Sequence, residues 1–147
     1  KISIDSNILY FLNTKEYNDE NDNSSVIYLN YNNIKFLFMG DSGINRESDI
    51  LKKYSLNNID ILKVGHHGSN TSSSKYFIDK INPKYSIISV GKNNWYGHPN
   101  AEVLDNLDNS KIYRTDMDGS IILKVKSDKL EIKAFTQKKV VRNELLQ

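Results

Sequence analysis

The strongest constraint on folding is an alternation of element types. Between residues 58 and 107 the strings "IDILKVG", "SSKYFIDKI", "YSIISVG" and "NAEVLDNL" follow one another. The first and third are short apolar runs closed by glycine, which read as buried strands. The second and fourth carry helical spacing, and the second is stopped by Asn82-Pro83. Ahead of them, "SSVIYLNY" and "IKFLFMG" flank Asn32-Asn33. Two residues tolerant of left-handed backbone between β-rich runs signal a hairpin. "NRESDILKKYSL" places Ile50, Leu51 and Tyr54 at helical spacing, with acidic residues early and lysines late, as the helix dipole favours. "KISIDSNILYFL" reads as one strand and "NTKEYNDENDN" as a polar loop. "KIYRT" reads as a strand, "GSIILKV" and "KLEIKAF" as a hairpin around Ser127-Asp128, and the tail "TQKKVVRNELLQ" as a weak helix. The fold class expected is α/β, in its α+β form, with helices layered on a mostly mixed sheet.

One domain fits 147 residues, and 38% hydrophobic with 26% charged residues is a folded, non-membrane composition without an evident signal peptide. With no cysteine, ordinary metal ligands reduce to His, Asp and Glu. A net charge of +2 is too small to indicate nucleic acid by bulk electrostatics, so such a partner has to be argued from a site.

Three strand ends carry chemistry-bearing residues: "FMGDSG" ends on Asp41, "LKVGHHGS" on His66 and His67, and "SVGKNNWYGHP" leads to His98. Ligands collect beyond the carboxyl ends of strands in α/β sheets. If the three ends are neighbours, one carboxylate and up to three imidazoles converge, a donor set suited to zinc, manganese or iron. Each residue also has a plainer use. Asp41 could be a turn former or helix N-cap, His98 a satisfied loop histidine, and the hydroxyls from Ser69 to Ser74 helix caps before phosphate contacts. Adjacent side chains in extended backbone point to opposite faces, so only one histidine of the pair can reach a given ion. Trp95 and Tyr96 read first as core or surface filling, and second as a base-stacking rim with Lys92, Asn93 and Asn94.

The strings "NDNSSVIYL", "FLFMGDSG" with Glu47 behind it, "DILKVGHHGS", "INPKYSIISVG", "GHPNAEVLDNL" and "IYRTDMDGSIIL" occur in the order seen in ComEC-type DNA uptake proteins. Together, from about residue 20 to 123, they resemble the C-terminal metallo-β-lactamase-fold domain of that family. The resemblance implies a four-layer αββα sandwich and a site holding two zinc or manganese ions that activate water to hydrolyse phosphodiesters, nucleic acid being the favoured substrate. It implies Asp41 as the metal-bridging carboxylate and His67 as a histidine ligand. His66 would touch a substrate phosphate or support the ligands, and His98 would contact substrate or donate a proton at the rim. Ser69 and Asn94 are candidate substrate contacts. Asn21 and Ser24 match an Asn-x-x-Ser element, and Thr115 and Asp116 a structural pattern.

The family's early half, with its His-x-His-x-Asp-His cluster, has no match here, and a dinuclear site needs roughly four ligands beyond Asp41 and His67. The expectation is therefore half of a sandwich, with helices on one side of the sheet and a bare second face, inactive alone. Such a half would pair with the missing N-terminal half or with a second copy. A non-catalytic nucleic-acid or protein binding module, and a hydrolase of small phosphodiesters, are the alternatives.

Overall fold

The structure is a computed structural model that describes residues 1–4, 7–12 and 14–136. Strands β3 (Ile27–Tyr31) and β4 (Ile34–Phe38) form the expected hairpin, with Asn32 and Asn33 at φ 48° and 62°. That double left-handed turn matches the twist of the flanking strands. The first twelve residues differ from expectation: β1 (Ile2–Ile4) and β2 (Asn7–Phe11) pair antiparallel with each other, and β2 pairs with β3. The polar residues interrupting the apolar spacing mark two short strands rather than one.

After β4 the chain changes habit. Helix α1 (Ile44–Lys53) leads to β5 (Ile61–Lys63), α2 (Lys75–Ile81) to β6 (Tyr85–Ile88) and α3 (Ala101–Asn106) to β7 (Lys111–Arg114). Strands β4 to β7 run parallel, in the sheet order β1-β2-β3-β4-β5-β6-β7. Helix α1 stops at Lys53, so Leu56 falls outside it, and Thr115 starts the short α4 (Thr115–Asp118) instead of ending a strand. Caps explain the other starts: Ser74 Oγ accepts from Phe77 N and Asn100 Oδ1 from Glu102 N, while Asn82 closes α2 in left-handed backbone ahead of Pro83.

Strand alternation sorts the core. Leu37, Leu62, Val64 and Ile88 face Ile50, Phe77, Ile81, Val103 and Leu107 from the helices. Each such buried side chain contributes about 1.5–3 kcal/mol. Phe36, Ile61 and Ile87 point the other way, where the expected bare face is partly covered. A separate hairpin of β8 (Ser120–Lys126) and β9 (Lys129–Phe135) lays Ile121, Leu123, Val125, Leu130 and Ile132 against them. Helices thus sit on one face and a two-stranded sheet on the other. Residues 137–147 of the proposed tail helix lie outside the described residues. Among the described residues no helix is long and apolar enough to cross a membrane.

Candidate functional site

Parallel pairing of β4, β5, β6 and β7 brings their carboxyl ends to one edge, so Asp41, His66-His67, the loop to His98, and Thr115 become neighbours. Main-chain bonds stitch these ends together. His66 N donates to Gly40 O at 3.0 Å and Asn100 N to Gly68 O at 2.8 Å. Thr115 Oγ1 accepts from Val90 N and donates to Val90 O, both at 2.8 Å, extending the sheet by one side chain.

The paired histidines are not extended. His66 (φ 43°, ψ 44°) and His67 (φ 55°, ψ 17°) form a left-handed turn, which aims the imidazoles into two clefts. His67 lines a cleft of about 280 Å³ with Ser89, Asn94, Tyr96 and His98. His66 lines another, of about 450 Å³, with Asn21, Asp22, Asp41 and Thr71. Its Nδ1 lies 3.3 Å from Thr71 Oγ1.

His67 Nδ1 is 2.6 Å from the Ser89 carbonyl, and a carbonyl only accepts, so Nδ1 carries the proton. In the neutral ring Nε2 then presents a lone pair, and it faces Asp41 Oδ1 at 3.7 Å with both side chains half exposed. Two acceptors at this separation attract only when a proton or cation joins them. Fixing one ring nitrogen on a carbonyl while the other stays free is how a metal-binding histidine is oriented. Orientation and donor chemistry thus fit a metal ion, and the number of donors does not. Among the described residues no third His, Asp or Glu completes a group, one short of the three protein ligands of a catalytic zinc.

Other sequence candidates fall into supporting places. Ser24 Oγ accepts from Asp41 N at 3.1 Å, so the Asn-x-x-Ser element orients the carboxylate residue through its backbone. Ser69 is buried, its hydroxyl 3.0 Å from Thr71 Oγ1. Asn94 closes its own loop: Oδ1 accepts from His98 N, and Nδ2 donates to the Gly91 and His98 carbonyls. His98 stands edge-on to His66 at 6.0 Å, and burial, aided by repulsion from His66 and His67, holds it below its ordinary 6.5. Asp116 is paired with Arg114 at 2.7 Å.

Three contributors carried no sequence signal for their roles. Asp22 is buried and accepts from Gly43 N at 2.8 Å, tying the 21–23 turn to the start of α1. Glu47, on α1, accepts from Ser73 N, Ser74 N and Ser74 Oγ. Burial raises its pKa against the pull of those donors. Lys63 has its pKa lowered by burial, an effect opposed by nearby Asp41.

No family model matches the chain. It is 36% identical over 110 residues to ComE operon protein 3 of Bacillus subtilis (strain 168), covering 74% of this chain and 14% of that protein. Competence protein ComA of Neisseria gonorrhoeae aligns at 35% over 106 residues, covering 70% and 15% respectively. Recombination protein 2 of Haemophilus influenzae aligns at 33% over 115 residues, covering 77% and 14%. The chain spans about a seventh of the length of these relatives.

Proposed function

From this kinship with competence proteins, we propose that the chain supplies one wall of a metal-dependent phosphodiester-hydrolysing site, of metallo-β-lactamase type, in a protein of DNA uptake. The observation that carries the reading is the pair of facing acceptors, His67 Nε2 and Asp41 Oδ1, 3.7 Å apart with the histidine tautomer fixed from behind. Zinc or manganese bound there, with further ligands, would supply water activation at neutral pH. The remaining ligands come from outside the described residues.

The chain's own residues then have distinct tasks. Asp41 and His67 would hold the cation, with Ser24 fixing the backbone of Asp41 and the Ser89 carbonyl fixing the His67 ring. His66, in the cleft that Asp41 also lines, would contact a phosphate oxygen of the substrate. His98, at the rim, would contact substrate, or donate a proton to the leaving oxygen once protonated, a form that burial and the neighbouring imidazoles disfavour.

The test uses the natural protein carrying this sequence, with labelled oligonucleotide and manganese or zinc. Asp41→Ala is expected to lower cleavage at least about a hundredfold and to reduce bound metal by elemental analysis, with the circular dichroism spectrum unchanged. Cleavage that survives the substitution, or none by the unsubstituted protein, overturns the reading.

A further inference from the structure

Trp95 is 100% exposed and Tyr96 83% exposed, on the loop between β6 and α3. Nothing in the core accounts for two large aromatic rings left in water at adjacent positions. We propose that Trp95 and Tyr96 form a stacking platform for unpaired nucleobases at the mouth of the His67 cleft, so that this site takes single-stranded nucleic acid in preference to duplex. The identity of the ligand rests on the phosphodiester reading above.

Three features support an unpaired strand as the occupant. The loop is pre-shaped: Asn94 brackets it with bonds to Gly91 and His98, and the Tyr96 ring stacks on His98 at 5.8 Å and 16°. His98 in turn meets His66 at 6.0 Å, so the rings run without a break from solvent to the strand-end edge. Through Tyr96 the platform also borders the cleft lined by His67, Ser89 and His98, which places a stacked base beside the candidate cation ligand His67. Finally, "GKNNWYG", residues 91–97, holds Lys92 and no carboxylate, a charge suited to a phosphate backbone. Base faces are free to stack only when the strand is unpaired, because a duplex hides them in its own stack.

Trp95 is the single tryptophan of these 147 residues, and the emission that Trp95→Phe removes from the natural protein isolates its signal. The natural protein, with chelator present to prevent turnover, is titrated with oligo-dT, with an abasic strand of equal length and with dT·dA duplex. Oligo-dT is expected to quench Trp95 saturably and to bind about tenfold tighter than the other two. By anisotropy of labelled strands, Trp95→Ala and Tyr96→Ala should weaken oligo-dT about tenfold and leave the abasic strand unchanged, with Trp95→Phe close to the parent. Equal affinity for dT and abasic strands, or equal affinity for duplex, overturns the proposal. So does a blue shift on anionic lipid vesicles without any response to oligo-dT, since that assigns the rings to a membrane surface. Because binding is read without cleavage, loss of the hydrolase reading leaves this result interpretable, and cleavage without base-dependent binding sinks only the platform.

Discussion

Two successive non-glycine residues in left-handed backbone, His66 and His67, are an uncommon arrangement; each costs on the order of 1–3 kcal/mol and persists only where its surroundings enforce it. Enforcement comes from both sides of the turn: His66 N reaches Gly40 O, Ser69 N reaches His66 O at 2.9 Å, and Gly68 continues the turn at φ 84°. A Cβ on Gly68 would lie 2.6 Å from Pro99 Cβ. Gly68→Ala therefore adds left-handed strain to a collision with the loop that carries His98. The expected loss is about 2–4 kcal/mol, read as a lower urea midpoint at unchanged slope. Gly91→Ala is the control: it meets nothing within 4 Å and should stay within about 0.5 kcal/mol. A Gly68→Ala variant as stable as its parent would mean that the turn does not hold the histidines as described.

Elements whose formation is decided locally were legible in the chain. Asn32-Asn33 makes the β3–β4 turn, and Ser74 and Asn100 cap the helices that follow them. The strand-end positions of Asp41, His66, His67 and His98 could be read from glycines closing apolar runs. Their contacts could not, because they depend on which strands become neighbours. Glu47 shows why: its carboxylate clamps Ser73 and Ser74, 26 and 27 residues away, and no local pattern in α1 marks it for that task. The clamp makes a testable pH signature. Burial holds the Glu47 pKa above its ordinary 4.5, so the folded state binds this proton more tightly than the unfolded chain. The stability it contributes is full below about pH 4.5 and declines as pH rises through the folded value. Glu47→Gln presents amide hydrogens to N–H donors and should lose about 1–3 kcal/mol at low pH. The difference from wild type should then narrow as pH rises, in urea midpoints from pH 4 to 8. A gap that widens with pH would show that the donors, not burial, govern this carboxylate.

At the scale of the molecule, the two faces of the main sheet are secured unequally. On the helical face, strands β4 to β6 are flanked on both sides by other strands, and Leu37, Leu62 and Ile88 are 0% exposed. On the other face, β8 and β9 bond only to each other, and their inward side chains are half-buried. A lone two-stranded hairpin is marginal in water, so this one persists through its apolar contact with Phe36, Ile61 and Ile87. The seven-residue alternation of β8 and β9 was readable in the sequence, whereas the surface receiving it was not, since Phe36 and Ile61 read equally well as residues for either face. Unequal anchoring should appear as unequal opening. In native-state hydrogen exchange with added denaturant, amides of β5 and β6 should exchange only through global unfolding. Those of β8 and β9 should open together at a free energy at least about 1–2 kcal/mol lower. Ile132→Ala should lower the hairpin's opening energy and the global unfolding energy read at Leu62 by the same amount, because its contact is lost in both open forms. If the hairpin amides instead merge with the global unfolding line, the second layer folds as one unit with the sheet. The strand-end edge with Asp41 and His67 would then be held from both faces rather than chiefly from the helical one.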